Sequence, residues 1–292
     1  LTLQFCNNYL TLQIILSHNL YRMNKWNCNY ELLDVLTPEQ IDFFDEHGVI
    51  IFRNFLSPEK LELYKQEVKR LETEWLAESR EKVNGIPLKF GKTETGELTI
   101  QRFCFASLHS NVLHELLDDN RLKALIEFLQ PYDGRIGENE KDGLVINNYV
   151  NSPNSTFTQM GWHTDSPRDL FLGQKIMPML NVGIHLDTCL FENGGLRVLP
   201  GTHKQNVLKL LFGKKYFIDN SDDSKEVGFD IHAGDLTVHD GRTWHRVKQS
   251  PLVGESSRRR VMYIPIITGK YQPKHEKSKT PFYHKFTGKV HH

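Results

Sequence analysis

Apolar residues recur at helical spacing in the first part of the chain. A helix is predicted to begin at Pro38, with Thr37 as its N-cap and Gln40 in the capping-box position. Gly48 is predicted to end this helix. A second helix follows, and its apolar stripe is formed by Leu61, Tyr64, Val68, Leu71 and Trp75. Residues three or four positions apart share one face of a helix, so both helices are expected to pack against a core.

The rest of the pattern predicts one further helix and a series of strands. The apolar residues of 111–129 predict the helix, and the charged, irregular residues 79–101 predict a loop. Short apolar and β-branched runs predict strands at residues 49–52, 144–150, 179–186, 196–199, 235–239 and 261–267. Helices followed by many short strands are typical of the α+β class, here with a mainly β core that forms a sandwich or barrel.

Composition narrows the range of partners. The 292 residues include 36 basic and 36 acidic ones, so neither nucleic acid nor an anionic membrane is an expected partner. No apolar run approaches the roughly 18 residues of a transmembrane helix. Four cysteines lie far apart without C-x-x-C spacing: Cys6, Cys28, Cys104 and Cys189. This pattern favours reduced thiols and a cytoplasmic location.

The two ends of the chain differ from its middle. Residues 1–22 mix apolar side chains with Asn and have no basic start, so they make a poor signal peptide. They are expected to be an extension upstream of Met23 without a structural role. Residues 269–292 are rich in Lys, His and Pro and predict a surface tail. A single domain is therefore predicted over residues 23–268.

One short motif carries candidate chemistry. His163 and Asp165 stand two residues apart, and on an extended segment such side chains project to the same side. Together with His245 they match the arrangement of two His and one carboxylate that binds non-heme Fe(II) and leaves positions open. His185 and Asp187 repeat the spacing. They lie within an apolar run, however, so His185 is interpreted as a structural strand residue.

Further motifs extend the pattern around these residues. Glu46–Phe52 reads E-H-G-V-I-I-F, Asn193–His203 reads N-G-G-L-R-V-L-P-G-T-H, and Gly234-Asp235-Leu236 precedes His245. In this order and at these separations, residues 36–267 resemble the phytanoyl-CoA dioxygenase (PhyH) family of Fe(II)- and 2-oxoglutarate-dependent oxygenases. The resemblance implies a double-stranded β-helix (jelly roll) of eight core strands with an N-terminal helical layer.

The resemblance also implies roles for the histidines. It selects His163, Asp165 and His245 as the Fe(II) ligands, with 2-oxoglutarate and O2 at the remaining positions. A small organic substrate would be hydroxylated, with release of succinate and CO2, and the presence of Asp165 favours hydroxylation over halogenation. His239 falls at an ordinarily apolar strand position of the family and is interpreted as structural. His203 is expected to hydrogen-bond a tight turn.

The far carboxylate of 2-oxoglutarate needs a bidentate cation, which is the chemistry of Arg. Arg258, Arg259 and Arg260 are consecutive on a predicted strand, so the outer pair faces away from the middle one. The family pattern favours Arg259 as the ligand of 2-oxoglutarate. Arg258 and Arg260 are then expected to form a solvated basic edge.

Three further residues are candidates for contacts with the cosubstrate. Asn147 and Tyr149 share one face of the strand before the His163 motif and are candidates for the carboxylates of 2-oxoglutarate. The family often has a large aromatic residue near Gly183. Its absence predicts either a wider pocket or a contact made by Asn181 instead.

Substrate choice is expected to lie in two variable segments, 79–101 and 204–230. The second is predicted to be an insertion over the site, with the aromatic and basic residues Lys209, Phe212, Lys214, Lys215, Tyr216 and Phe217. An acyl-CoA, a secondary metabolite and an amino-acid derivative all remain open as substrates. Two other classes also remain open: a metal-dependent cupin-like enzyme that does not use 2-oxoglutarate, and a non-catalytic jelly-roll binding module.

Overall fold

The computed structural model describes residues 26, 29–153, 155, 157–165 and 175–281. The expected upstream extension, residues 1–22, lies outside the described residues, as does the tail from residue 282. No helix in the described part of the chain combines the length and apolar character needed to cross a bilayer. Of the four cysteines, Cys104 and Cys189 are described, and both are buried and free.

The first two helices agree with the sequence pattern. Helix α1 spans Pro38–His47, and Thr37 and Gln40 form the predicted capping box. Gly48 ends the helix with φ of 68°, a left-handed conformation that suits glycine. Helix α2 spans Pro58–Ala77, and the side chains that it buries are Tyr64, Val68, Leu71 and Trp75.

The prediction of one helix over residues 111–129 is wrong. The structure has α3 at Asn111–Leu117, α4 at Asn120–Ala124 and a 3-10 helix at Leu125–Leu129. The break lies at Asp119, whose ψ of 122° is not helical and whose carboxylate accepts a hydrogen bond from the Arg121 N–H at 2.9 Å. An aspartate that caps a new helix competes with continuation of the preceding one.

The first seven strands are β1 (Val49–Phe52), β2 (Lys82–Val83), β3 (Ile86–Pro87), β4 (Lys89–Lys92), β5 (Leu98–Phe103), β6 (Arg135–Ile136) and β7 (Val145–Tyr149). The others are β8 (Met160–His163), β9 (Met179–His185), β10 (Gly195–Val198), β11 (Val227–Gly228), β12 (Leu236–Asp240), β13 (His245–Lys248) and β14 (Arg259–Ile267). A short helix, α5, spans Val207–Phe212. All six predicted strands are present, and no end differs from its predicted position by more than two residues.

Two antiparallel sheets form the jelly roll. The major sheet has the order β1-β12-β9-β14-β7-β5-β4, with β6 on β14, and the minor sheet has the order β11-β10-β13-β8. One face of the major sheet packs on the helices in the main apolar core, which contains Ile146, Val182 and Met262 beside Phe44 and Leu71. The α+β class with a mainly β, jelly-roll core and an N-terminal helical layer is thereby confirmed.

The prediction of a loop at residues 79–101 is also wrong, because this segment supplies β2 to β5. In β5, Ile100 and Phe103 are fully buried, and Glu72 of α2 accepts a hydrogen bond from the Ile100 N–H at 3.1 Å. The backbone register pairs Lys89 with Arg102, and Arg102 with Asn147. Directly paired residues project to the same face of a sheet. The charged residues Lys89 and Arg102 therefore face the inside of the jelly roll. The composition of the segment had instead suggested that they face solvent.

His185 has the structural role expected for it. It is 4% exposed, and its Nε2 lies 3.1 Å from Thr237 Oγ1. Burial lowers the pKa of His185 from 6.5 to about 4. Between these values the unfolded chain binds a proton that the folded protein excludes, so the contribution of His185 to the free energy of unfolding falls as the pH drops through this window and is fully present above it.

This shift predicts a pH dependence of stability for the metal-free protein. The His185→Gln variant should lose about 3 kcal/mol less than the wild type when the pH falls from 7 to 4, since one pKa unit corresponds to about 1.4 kcal/mol. Urea unfolding of both proteins in the presence of a chelator measures the difference. Equal losses in the two proteins would show that His185 titrates normally in the fold.

Candidate metal centre

Three candidate ligands converge where the minor sheet meets the cavity. His163 ends β8 and His245 begins β13, and the two are direct partners in the antiparallel register. Their ring centroids are 4.1 Å apart. Asp165 follows β8, held by a hydrogen bond from its N–H to the Gly241 carbonyl at 2.8 Å. One potential ligand atom from each of the three residues lies within 4.8 Å of the other two.

Backbone contacts orient both imidazoles in the same way. The Nδ1 atom of His163 lies 2.8 Å from the Gly161 carbonyl, and the Nδ1 atom of His245 lies 2.9 Å from the Thr243 carbonyl. A carbonyl can only accept, so each ring donates from Nδ1–H and carries its free lone pair on Nε2. Burial lowers the pKa of both histidines, that of His245 strongly, and both rings are therefore neutral at pH 7.

Asp165 completes a centre that carries a single negative charge. Burial acts to raise its pKa, but the surrounding His239, His245 and His163 outweigh this effect and hold the pKa well below its usual range. Asn181 donates from Nδ2 to Asp165 Oδ2 at 3.3 Å. Two neutral imidazole nitrogens and one ionised carboxylate are a donor set suited to a divalent transition metal.

His239 does not occupy an ordinary core position. It lies on β12 with 1% of its surface exposed, and its Nε2 is 3.8 Å from Asp165 Oδ2, about as close as His245 Nε2 at 3.9 Å. Neither of its ring nitrogens has a hydrogen-bond partner among the described residues. The interpretation of His239 as a structural strand residue did not anticipate a ring directed at the candidate ligands.

The three consecutive arginines separate into two environments. Arg259 is buried at 5% exposure, with Nη1 donating to the Lys248 carbonyl at 3.0 Å and no partner for Nε among the described residues. Arg258 pairs with Glu255, and Arg260 forms two hydrogen bonds with Asp187 at 2.7 and 2.8 Å. The expectation of a solvated basic edge is wrong, because both outer arginines form ion pairs.

A cavity extends from the candidate ligands into the jelly roll. Its lining includes the three ligands, the predicted contacts Asn147, Tyr149 and Asn181, and the side chains of His239, Tyr263 and Arg102. Arg259 lies beside it, with the guanidinium carbon 5.5 Å from the centre of the Tyr149 ring. The three predicted metal ligands and the four predicted contacts with 2-oxoglutarate therefore all lie in or next to one cavity.

Tyr263 was not predicted, and it explains the glycine at position 183. The register pairs Tyr263 with Gly183, and a Cβ atom on Gly183 would lie 2.9 Å from the Tyr263 ring. An aromatic ring from the neighbouring strand therefore occupies the space beside Gly183, and Asn181 lines the same cavity. Strand alternation from Arg259 would have identified Tyr263 as a residue of the same face.

The sequence analysis also did not predict a group of charged residues at one edge of the cavity. Arg102 donates to Asp142 Oδ2 at 2.6 Å, and both residues line the cavity. Lys89 lies next to Arg102 in the register, with its ammonium nitrogen 4.5 Å above the centre of the Phe157 ring. Burial, followed by the charge of Arg102, lowers the pKa of Lys89 to about 8.

Comparison with known proteins agrees with this geometry. A profile of the family described as phytanoyl-CoA dioxygenase (PhyH) matches residues 44–250. The chain belongs to the PhyH family. A search of curated proteins finds no match to this PhyH-family chain.

Several solved structures share the fold of this PhyH-family protein. HygX from Streptomyces hygroscopicus with nickel and 2-oxoglutarate bound has a TM-score of 0.58 at 17% identity, covering 82% of this chain and 90% of HygX. EvdO2 from Micromonospora carbonacea var. aurantiaca complexed with 2-oxoglutarate has a TM-score of 0.56 at 16% identity, and the match covers 85% of this chain and 99% of EvdO2. The epimerase SnoN from nogalamycin biosynthesis has a TM-score of 0.55 at 17% identity, and the match covers 80% of this chain and 84% of SnoN.

The cofactors of the PhyH family, iron and 2-oxoglutarate, can be tested against the residues present. The Nδ1 atom of each histidine contacts a backbone carbonyl, which leaves Nε2 of both rings for a metal, and His245 Nε2 lies 3.9 Å from Asp165 Oδ2. Next to them, the Asn147 side-chain oxygen and the Arg259 Nε are buried without partners in the described part of the chain. Buried polar atoms normally have partners, so these atoms favour a polar ligand in the cavity. The residues fit a metal with a carboxylate-bearing cosubstrate.

The segment 204–230 contacts the outer side of the centre in this PhyH-family protein. The Phe217 ring stacks on His163 with centroids 4.9 Å apart, and the Tyr216 hydroxyl lies 2.7 Å from Thr164 Oγ1. Of the other predicted contact residues, Phe212 is 78% exposed and Lys214 pairs with Asp223 at 2.8 Å. Aromatic residues, and not lysines, therefore cover His163.

Proposed function

We propose that this protein uses Fe(II), 2-oxoglutarate and O2 to oxidise a C–H bond of a small organic substrate, with His163, Asp165 and His245 as the iron ligands. One observation carries the proposal: two imidazoles with fixed tautomers and one ionised carboxylate meet at a cavity lined with unpaired polar atoms. Iron bound there supplies the oxidising power, with 2-oxoglutarate converted to succinate and CO2.

The chain's own groups position the cosubstrate. Arg259 binds its far carboxylate through Nε and one Nη, because Nε otherwise stays buried and unpaired. Asn147 Nδ2 lies 3.4 Å from the Tyr149 hydroxyl, while its amide oxygen has no partner among the described residues. With the amide rotated, Tyr149 donates to that oxygen and Asn147 Nδ2 donates to a carboxylate. Such exchanges of the amide atoms are assigned from the hydrogen-bond network.

On the side of the minor sheet, an aromatic side chain shields the proposed iron site from water. Phe217, which is itself 46% exposed, stacks on one face of His163 and shields that face from solvent. A dry site strengthens each electrostatic contact within it and protects reactive species from side reactions.

Two observations argue against the other two classes, the cupin-like enzyme that does not use 2-oxoglutarate and the non-catalytic binding module. A cupin-like enzyme without 2-oxoglutarate gives no reason for an arginine to be buried beside the cavity with Nε unpaired. A binding module gives no reason for two histidines and a carboxylate to keep their ligand atoms within 4.8 Å of one another. Arg259 therefore distinguishes the first class, and the three candidate ligands distinguish the second.

A screen for substrate-stimulated succinate formation tests the proposal. The iron-loaded protein should release succinate slowly without substrate and faster with the correct metabolite, and a chelator should stop both reactions. Product analysis then distinguishes insertion of oxygen from inversion of a stereocentre, since the relative SnoN is named an epimerase. Failure to consume 2-oxoglutarate under all these conditions would refute the proposal.

A further inference from the structure

The proposed ligands leave the role of His239 open. It is 1% exposed, and both of its ring nitrogens lack hydrogen-bond partners among the described residues. A buried polar group without a partner destabilises the fold, and an apolar ring of similar size would avoid that cost. A polar ring at this position therefore points to a partner that binds from the cavity side.

The neighbours of His239 identify the group that it faces. The register pairs His239 directly with Asn181, so their side chains leave the same face of the major sheet next to each other. Asn181 Nδ2 donates to Asp165 Oδ2 at 3.3 Å, and His239 Nε2 lies 3.8 Å from the same oxygen. One amide nitrogen and one imidazole nitrogen from the major sheet thus lie near the same oxygen of the proposed iron ligand.

Direct ligation of the metal by His239 is disfavoured. The set of ligand atoms that lie within 4.8 Å of one another comprises His163, Asp165 and His245, without His239. A fourth protein ligand would also occupy one of the positions that must stay open for 2-oxoglutarate and O2.

We propose that His239 is a positioning residue that, together with Asn181, holds Asp165 Oδ2 by a hydrogen bond from Nε2–H. Oδ2 also lies 3.9 Å from His245 Nε2, so these hydrogen bonds fix the orientation of the carboxylate next to the other candidate ligands. This inference rests on the proposed metal site. The separation of 3.8 Å is slightly longer than a hydrogen bond. A small rotation of the Asp165 carboxylate closes it, as often happens when an active site acquires its ligands.

Anaerobic Co(II) titration of His239 variants, followed by visible absorption, tests the inference. His239→Phe should weaken Co(II) binding by roughly 10- to 100-fold, the usual effect of losing a group that orients a metal ligand. His239→Gln should restore most of the affinity, because its amide nitrogen reaches the place of Nε2. His239→Asn reaches only the place of Nδ1 and should behave like His239→Phe.

Stability of the metal-free protein supplies a second readout. His239→Phe should raise its melting temperature or leave it unchanged, since the variant removes an unpaired buried group. Equal Co(II) affinities for the wild type and His239→Phe would overturn the inference and leave the proposed function standing. X-ray absorption that shows one nitrogen ligand fewer in His239→Gln would overturn it in favour of direct ligation. No Co(II) binding by the wild type would contradict the metal site itself.

Discussion

His245→Ala should reduce succinate formation to background, below about one hundredth of the wild-type rate. The estimate is conservative, because even the loss of a group that only orients a ligand costs roughly 10- to 100-fold in metal affinity or activity. His245 supplies a neutral Nε2 that no nearby group replaces, since His239 lies outside the set of mutually close ligand atoms. The rate of succinate release by iron-loaded protein, measured with and without substrate, checks the prediction.

The controls for this prediction distinguish loss of metal from loss of fold. His114→Ala removes an imidazole that is 55% exposed on the surface, and it should leave the rate unchanged. His163→Ala should match His245→Ala, because the two rings are equivalent partners across β8 and β13. Full turnover in His245→Ala, with His239→Ala inactive instead, would show that His239 is the distal ligand.

Arg259→Ala should raise the KM for 2-oxoglutarate by about 30-fold or more, since truncating one partner of a buried charged pair costs about 2–5 kcal/mol. Arg259→Lys should recover only part of this loss, because an ammonium group keeps the charge and loses the planar pair of donors. Initial rates of succinate formation against 2-oxoglutarate concentration measure both variants. The metal should still bind, since Arg259 is not one of the candidate ligands.

The neighbouring arginines provide matched controls. Arg258→Ala and Arg260→Ala should leave this KM unchanged, because their side chains pair with Glu255 and Asp187. Arg260→Ala should lower the melting temperature instead, since it leaves Asp187 unpaired. A normal KM in Arg259→Ala would favour an enzyme that does not use 2-oxoglutarate. A raised KM in Arg258→Ala or Arg260→Ala would assign the carboxylate to that residue.

Two of the three candidate ligands could be predicted because their geometry is local. His163 and Asp165 need only the two-residue repeat of an extended segment to share a side. His245 could be selected over His239 only through the family resemblance, because both lie in one run of strand and turn. The backbone pairing of His163 with His245 is long-range information that no short motif contains.

The missed residues have a common physical cause. His239, Tyr263, Lys89 and Arg102 lie on strands of the major sheet, on the face that lines a polar cavity. Sequence periodicity tells which residues share a face of a strand, but not whether that face meets a core, solvent or a cavity. Charged residues within 79–101 therefore indicated a loop, and the position of His239, where the family ordinarily has an apolar residue, indicated a structural role.

The break in the third helix has a different origin. Apolar spacing continues through residues 111–129, and the apolar residues Leu113, Leu116, Leu122 and Leu125 are all buried as that spacing requires. Asp119 nevertheless interrupts the helix by capping α4, because its side chain competes for backbone N–H groups. Local capping chemistry overrides periodicity here without changing which face is buried.

The proposed function requires that His163, Asp165 and His245 bind one ferrous ion and leave room for 2-oxoglutarate. Anaerobic titration with Fe(II) and 2-oxoglutarate, followed by visible absorption, tests it most directly. We expect a weak metal-to-ligand band that saturates at one iron per protein and is lost in His163→Ala and His245→Ala. A band of full intensity in both variants, or none in the wild type, would contradict it.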